Sequence, residues 1–341
     1  MIVTPSKKNF RGVAAVGALA LLSLAAPAQS AELEKTVIAQ TPAIMSFLAA
    51  YIAEDAGIWR DNGLDVKVIN LPGNATVNAV ISNNADFALT ASDALTRAAA
   101  HGQRLLAIAA LNNMSGQVTV IRKDIAEAAH FDPKAPLAER ARVMKGHTMA
   151  GGNVGSVADV FLKVIAREAG IKPDEMTVAA IGAFDQLAAF DRKAVDGISF
   201  SLPYPQQLVA NGSAVVVVDG TNNEPQDLMP LAAGLVLTRP QLCVDHRSVC
   251  EKMGRSIAQA AKYLRERKAN ALAILQKRFP KTDASVTESA YEAVARMTND
   301  PPAITLKAVE NGDLMNDKAG LLKPEDRVSS YDGLFTNEYL K

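Results

Sequence analysis

The stretch TMAGGNVGSVADVFLKVIAREAGIKPDEMTV, residues 148–178, carries the prediction of the fold. A short apolar run leads into a Gly- and Ser-rich loop, and the loop opens a segment whose apolar residues recur with helical spacing. Ser156 is a favourable N-cap, Asp159 stands at the capping-box offset, and Gly170 marks the end of the helix. Because the strand Thr177–Ile181 follows, we predict a strand–loop–helix–strand unit of a parallel sheet.

The same alternation continues on both sides of this stretch. Upstream, four apolar runs predict strands at Thr36–Gln40, Asp65–Leu71, Ala85–Thr90 and Leu105–Leu111. Downstream, the pattern predicts a helix at Ala183–Arg192 and strands at Gly197–Ser201 and Ala214–Val218. Beyond Pro240 the chain is predicted to be mostly helical, most clearly over Val249–Lys277. These segments predict one α/β unit over about 32–117, a second over about 123–233, and a helical tail.

Composition excludes several classes of function. The 341 residues include 36 Lys and Arg and 36 Asp and Glu, so there is no basic excess to neutralise a phosphate backbone. Aromatic residues are only 5% of the chain, which leaves little material for stacking on bases. We therefore predict no nucleic-acid partner. The apolar content of 49% also argues against disorder.

The first 31 residues have the pattern of a cleaved secretory signal peptide. Lys7, Lys8 and Arg11 precede an apolar run over 13–26, and small residues follow. Cleavage after Ala28, Ser30 or Ala31 is compatible with this pattern. Removing 1–31 takes away three positive charges and no acids, so the net charge falls from 0 to −3. We predict a periplasmic protein.

Two stretches resemble a known family. The stretch 51–89, YIAEDAGIWRDNGLDVKVINLPGNATVNAVISNNADFAL, resembles the N-terminal signature of periplasmic substrate-binding proteins of the nitrate/sulfonate/taurine type, the NMT1/THI5-like family. The residues over 151–178 resemble the second motif of that family, a Gly/Ser loop that opens a helix. Asp196-Gly197, just before the strand Ile198–Ser201, matches a further position in the sequence pattern of that family. The likeness covers most of residues 36–240.

This resemblance implies the fold class and the domains. The expected fold is α/β, the two-lobed type II periplasmic binding protein fold, in which each lobe is a mostly parallel sheet flanked by helices. The strand-like segments Gln117–Arg122 and Gly234–Arg239 would be the two crossover strands that act as a hinge. Residues 32–119 and 236–341 would form a discontinuous lobe I, and 120–235 would form lobe II.

The resemblance also implies the function. Such a protein is an extracytoplasmic receptor that binds a small polar or anionic organic solute, similar to a sulfonate, taurine or nitrate, between its lobes. It delivers the solute to the permease subunits of an ABC importer in the inner membrane, and it is expected to act as a monomer. Two alternatives stay open: the same fold could bind a neutral, pyrimidine-like heterocycle, or it could report a ligand to a membrane sensor.

In open α/β sheets ligands bind beyond the carboxyl ends of the strands, where loops open helices. At such positions the first lobe offers seven residues, namely Met45, Ser46, Gly73, Asn74, Ala91, Ser92 and, from the end of a further strand, Asn112. The second lobe offers Gly152, Asn153, Ser156, Phe184, Asp185, Ser201 and Tyr204. Ser156, Ser92 and Asn74 are equally well explained as helix caps.

Charge in these loops bears on the ligand. None of them contains Lys or Arg, which usually clamp a carboxylate or sulfonate. Asp93 and Asp185 either interact with a helix dipole or pair with an amine of the ligand. An anion held by neutral donors and a neutral or zwitterionic solute both stay possible, and the sequence does not exclude Arg97, Arg122 and Arg239 from the site.

Cys243 and Cys250 lie close together in a chain predicted to enter an oxidising compartment, which favours a local disulfide. By the loop-entropy model such a ring contributes roughly 2.5 kcal/mol. Free thiols and a metal site that includes His246 are the alternatives, although a structural zinc site needs four ligands and no fourth is evident.

An enzyme is not expected. The sequence has no Gly-x-Ser-x-Gly, His-Glu-x-x-His or phosphate-loop motif. The pyrimidine-forming branch of related enzymes carries a Cys-rich motif that this chain lacks. We therefore predict no catalytic residues, no metal site and no cofactor.

Overall fold

Ten strands form two five-stranded sheets in the computed structural model, which describes residues 32–41 and 44–341 apart from the side chains of Ala183, Phe184 and Pro324. The strands are β1 (Glu34–Gln40), β2 (Leu64–Asn70), β3 (Phe87–Ala91), β4 (Leu106–Asn112), β5 (Gln117–Arg122), β6 (Thr148–Ala150), β7 (Thr177–Ala179), β8 (Gly197–Ser201), β9 (Ala214–Asp219) and β10 (Ala233–Thr238). The predicted signal peptide lies outside the described residues. Residues 33–341 form one compact unit.

The helices cover the faces of both sheets and form the C-terminal part of the chain. They are α1 (Leu48–Asp55), α2 (Ile58–Asp61), α3 (Ala75–Ile81), α4 (Ser92–Ala100), α5 (Lys123–Ala128), α6 (Leu137–Ala141), α7 (Val157–Glu168), α8 (Ala183–Asp191), α9 (Tyr204–Ala210), α10 (Pro240–Asp245), α11 (Arg247–Glu266), α12 (Lys268–Arg278), α13 (Ala284–Met297) and α14 (Leu306–Ala319). Short 3₁₀ turns include Met45–Phe47 and Glu338–Leu340. No helix among the residues shown is both long and apolar enough to span a bilayer.

The two sheets have the same design. The first has the order β2-β1-β3-β10-β4, and the second has the order β7-β6-β8-β5-β9. In each sheet the fourth strand, β10 or β5, runs antiparallel to both of its neighbours, whereas β1, β2 and β3 are parallel to one another, as are β6, β7 and β8. These mostly parallel sheets confirm the predicted two-lobed α/β class. We call the units built on the first and second sheets the first and second lobe.

The chain passes between the lobes twice. It leaves the first sheet after β4, enters the second as β5, and returns as β10. The predicted crossovers Gln117–Arg122 and Gly234–Arg239 are therefore complete strands, each buried in the lobe that it enters. The exact lobe boundaries stay a prediction.

The unit over 148–178 folds as its pattern predicts. The side chain of Ser156 accepts a hydrogen bond from the Asp159 amide at 3.4 Å, and Asp159 Oδ2 accepts one from the Gly155 amide at 2.7 Å. The apolar face of α7, including Phe161 and Ile165, is buried in the core of the second lobe. Caps and apolar spacing are local signals, so the sequence predicts this helix well.

The long helix expected at Val249–Lys277 is divided into α11 and α12. Arg267 lies between them with φ −129° and ψ 55°, outside the helical region, and its guanidinium lies 5.1 Å from the centre of the Tyr263 ring. The break lets α11 and α12 both pack against α1. Neither Gly nor Pro stands at this point, so the sequence carries no signal for the break.

Cys243 and Cys250 form the predicted disulfide, with their Cα atoms 5.5 Å apart. The bond joins α10 to the first turn of α11, and both cysteines are buried. It thereby fixes α10 against the start of α11. Within the described part of the chain, no cluster of three or more His, Cys, Asp or Glu side chains could hold a metal ion.

Candidate ligand-binding site

A cavity of about 220 Å³ lies between the lobes, at the carboxyl ends of the parallel strands. The first lobe contributes the segments after β1 and β2 and the ends of β3 and β4. The second lobe contributes the loop after β6, the start of α8 and the end of β8. The cavity therefore lies where an open α/β sheet places its ligand.

Ten of the predicted site residues line this one cavity. They are Ser46, Gly73, Asn74, Ala91, Asn112, Gly152, Asn153, Ser156, Asp185 and Ser201. Residues that are far apart in the sequence come together because corresponding loops of the two lobes face each other. That these residues bind a ligand stays a prediction.

Three predicted residues with described side chains are not brought to the cavity wall. Met45 is buried, and its amide donates to the Leu202 carbonyl at 3.0 Å. Ser92 is fully buried, and its hydroxyl turns away from the cavity and donates to the Ala308 carbonyl at 3.0 Å. Tyr204 packs edge-on against Phe200, with ring centres 5.6 Å apart. Phe184 is outside the set of described side chains.

A hydrogen bond across the cleft joins two lining residues. Ser46 Oγ of the first lobe lies 2.8 Å from Ser201 Oγ of the second, and both side chains are buried. Asn112 Nδ2 donates to the Ser46 carbonyl at 2.9 Å, and Asn112 Oδ1 accepts from Thr298 Oγ1 at 3.5 Å. These groups bond mainly with each other, so they fix the shape of this wall.

The described wall of the cavity is neutral apart from one acid. None of its described lining residues is Lys, Arg or His, and Asp185 is exposed at the start of α8. The rest of the wall combines amides and hydroxyls with apolar side chains such as Phe47, Leu89 and Phe200. A ligand here would meet neutral hydrogen-bonding groups and apolar surface.

The three arginines that the sequence left open lie elsewhere. Arg97 contacts Asn74 but does not line the cavity. Arg122 pairs with Asp124, and Arg239 donates to the carbonyl of Ala85 at 2.7 Å. None of the three therefore adds a positive charge to the described wall.

Sequence reasoning missed the part of the wall that the interlobe segments provide. These residues are Ser115, Gly116, Gln117, Leu231, Ala233 and Gly234. A cleft between two lobes must border the segments that connect them, so the predicted crossovers were a usable signal. Gly116 is needed here, because a Cβ at this position would overlap Ser46 Oγ. Gln117 lines the cavity, and its Oε1 is buried with no hydrogen-bond partner among the described residues.

Burial perturbs two titratable groups next to the cavity. It raises the pKa of Tyr204 to about 12, which moves the ionisation of the phenol still further from neutral pH. Burial also raises the pKa of Asp93, although Arg97 opposes this shift. Asp93 is fully buried on α4 and does not line the cavity, so it is not placed to bind an amine of a ligand.

Solved structures share the fold at low sequence identity. A protein from Bordetella bronchiseptica RB50 matches with a TM-score of 0.76 and 18% identity, over 90% of this chain and 95% of that one. The alkanesulfonate-binding protein SsuA from Xanthomonas axonopodis pv. citri, bound to MOPS, matches with a TM-score of 0.67 and 17% identity, over 87% of this chain and 96% of that one. The nitrate-binding protein NrtA from Synechocystis PCC 6803 matches with a TM-score of 0.61 and 14% identity, over 88% of this chain and 92% of that one.

Sequence comparison gives the family. YtlA of Bacillus subtilis (strain 168), to which a binding role is ascribed, is 28% identical over 166 residues. These are 48% of this chain, and the match spans less than half of that relative, 46% of its length. The model of the NMT1/THI5 like family matches residues 45–271, which include nine of the ten strands and nearly the whole cavity wall. The chain therefore belongs to the NMT1/THI5-like family.

Proposed function

We propose that this protein is the solute receptor of an ABC importer, and that it binds a small organic solute in the cavity between its lobes. The observation that carries the proposal is the cavity itself, which loops of both lobes line at the carboxyl ends of their strands. Such a site closes around a ligand when the lobes approach each other. Membership of the family and the sulfonate- and nitrate-binding roles of the structural neighbours support it.

We propose further that the ligand is polar without being strongly anionic. With no cationic side chain among the described wall residues, a sulfonate or nitrate would depend on neutral donors alone. A neutral or zwitterionic solute with an apolar body suits a wall of amides, hydroxyls and Phe rings better. The volume of about 220 Å³ lies below the roughly 300–1,000 Å³ of pockets for drug-sized molecules, which favours a small solute.

The predicted signal peptide indicates the cellular compartment in which the protein works. We propose that residues 1–31 are removed on export, and that the mature chain works in the periplasm as a monomer. There it would deliver its solute to the permease subunits in the inner membrane. In this proposal the protein acts by binding and release and is not an enzyme.

A ligand screen on the mature chain tests the proposal. Thermal unfolding would be followed with taurine, methanesulfonate, nitrate, cytosine, an aromatic carboxylate and several amino acids. A ligand at 100 times its Kd stabilises the folded state by about 2.7 kcal/mol, which raises the Tm measurably. We expect a saturable rise with a neutral or zwitterionic compound. A rise with nitrate or methanesulfonate alone would contradict the proposed ligand class and leave the receptor role intact.

A variant of the second lobe then tests the site. Asn153→Ala should weaken binding of the compound found in the screen by about 1 kcal/mol, the value of one typical hydrogen bond. Asn222→Ala, an exposed position of the same lobe that does not line the cavity, is the matched control. Equal affinity of both variants and the parent protein would mean that the ligand binds elsewhere.

A further inference from the structure

Arg97 is a first-lobe side chain that reaches the second lobe. It lies on α4, and its Nη2 donates to the carbonyl of Gly155 at 3.0 Å. The same nitrogen lies 3.3 Å from Oδ1 of Asn74, which belongs to the first lobe. This one nitrogen of the guanidinium therefore bonds to loops from both sides of the cleft.

The second terminal nitrogen of the guanidinium, Nη1, is anchored in the first lobe. Arg97 Nη1 donates to Asn316 Oδ1 at 2.7 Å and lies 3.4 Å from Asp93 Oδ2. Asn316 is itself held, since its Nδ2 donates to the carbonyl of Asp93 at 2.7 Å. A rigid, planar group with partners on two sides loses little further freedom when it makes the bond across the cleft.

The groups that Arg97 joins belong to the cavity wall, although Arg97 does not line the cavity. Asn74 is a lining residue, and Gly155 belongs to the same loop as the lining residues Asn153 and Ser156. The lobes also approach closely beside this bond, since a Cβ placed on Gly73 would lie 3.4 Å from Ser156 Cβ. Arg97 thus holds the two loops that face each other over the site.

We propose that Arg97 is a positioning residue of the ligand site, which fixes the 152–156 loop of the second lobe against Asn74 of the first and favours the closed arrangement before any ligand binds. This inference rests on the proposed receptor function. A hydrogen bond from a charged donor to a carbonyl exceeds an ordinary one in strength. We expect its loss to shift the ratio of closed to open protein by about ten-fold, which corresponds to about 1.4 kcal/mol.

Hydrogen exchange of the ligand-free full chain can measure this ratio. The Met45 amide donates across the cleft to the Leu202 carbonyl at 3.0 Å, so its exchange requires the lobes to separate. In the parent protein we expect this amide to be protected. In Arg97→Gln it should exchange about ten-fold faster, while amides inside β5 keep their rates. Arg104→Gln, an exposed arginine just after α4, should change nothing.

Removal of Arg97 leaves the buried Asp93 carboxylate without its partner, so Arg97→Gln could fail to fold. The double variant Asp93→Asn/Arg97→Gln removes both charges together and introduces two side-chain amides that can bond to each other. The glutamine side chain at position 97 cannot reach Gly155. It should show the same ten-fold faster exchange at Met45. A purely structural role for Arg97 predicts instead faster exchange of the α4 amides with no change at Met45.

Two results would overturn the proposal. One is an unchanged rate at Met45 in a folded variant, and the other is an unprotected Met45 amide in the ligand-free parent protein. Because the experiment uses no ligand, its failure is distinct from a failure of the ligand screen.

Discussion

At the scale of single residues, three predicted caps show what a local pattern can establish. Ser156 caps α7 as expected, whereas Asn74 makes no capping bond and accepts from Arg97, and the hydroxyl of Ser92 donates to the carbonyl of Ala308. A cap needs only the next turn of backbone, which is always present. Whether the side chain has a better partner depends on residues that are distant in the sequence, and the sequence pattern does not contain them.

The hydrogen bond between Ser46 and Ser201 gives a prediction at this scale. Ser46→Ala and Ser201→Ala should each lower the free energy of unfolding by about 1–3 kcal/mol, because each leaves a buried hydroxyl without its partner. The double variant should lose about 1 kcal/mol less than the sum of the two. Urea unfolding of all four proteins measures this coupling.

The pair Thr119 and Ser199, 2.9 Å apart within the second sheet, is the matched control. The same cycle on that pair should show a coupling that is insensitive to ligand, while a bound ligand should enlarge the coupling across the cleft. Strict additivity at Ser46 and Ser201 would show that the bond is not formed in solution.

At the scale of elements, α12 is held on α1 by a cluster of charges. Arg278 Nε donates to Asp55 Oδ2 and its Nη2 to Glu54 Oε2, each at 2.6 Å, and its guanidinium lies 4.4 Å from the centre of the Tyr51 ring. Lys277 adds a hydrogen bond to Asp55 at 3.2 Å. This cluster is possible only because the chain breaks at Arg267 and turns α12 back toward α1.

The cluster predicts a dependence of stability on pH. Burial alone would raise the pKa of Asp55, but the hydrogen bonds from Arg278 and Lys277 outweigh it and hold this pKa below its ordinary value of 3.8. The stabilisation is therefore complete above pH 3.8 and is lost as the pH falls through the lowered pKa of the folded state. Asp55→Asn should cost roughly 1 kcal/mol at pH 7, and the cost should shrink at acidic pH.

Urea unfolding of both proteins across this pH range provides the measurement. Asp61→Asn, at an exposed position on α2, serves as the control and should cost little at any pH. A cost for Asp55→Asn that stays constant down to the lowest pH at which the protein folds would contradict the lowered pKa.

At the scale of the whole molecule, α14 packs against α4 of the first lobe and α7 of the second. Val309 is buried in the core beside the first sheet, and Met315 is buried in the core of the second lobe. Lys318 bonds to Glu168 on α7 at 2.6 Å. One helix near the C-terminus thus adds a third link to the two chain crossings.

This link predicts that the lobes unfold together. Met315→Ala should lower the free energy of unfolding by about 2–5 kcal/mol and leave a single transition. Circular dichroism would report both lobes, and the fluorescence of Trp59, the one tryptophan of the chain, would report the first. The two curves should coincide in the parent protein and in the variant.

Lys307→Ala, at an exposed position of the same helix, is the control for this substitution. A different result would be two separate transitions in Met315→Ala, with the Trp59 fluorescence changing at the same urea concentration as in the parent protein. That result would show that the lobes unfold independently and that α14 does not couple them.

The sequence by itself determined the alternation of strands and helices, the two α/β units and most of the loops that line the cavity, and it favoured the disulfide over free thiols and a metal site. All of these depend on local signals, namely apolar spacing, caps, glycine and the short distance between two cysteines. The family resemblance added the order in which such units occur.

Only the tertiary structure decided which loops meet across the cleft, where Arg97 bonds, and how α14 joins the lobes. Each of these contacts connects residues tens to hundreds of positions apart, and a periodic pattern reports which face of an element is buried but not what buries it. That no cationic side chain lines the described cavity wall is decided in the same way, because an arginine from any distant element could have entered the site. The fold directs Arg97, Arg122 and Arg239 to other partners.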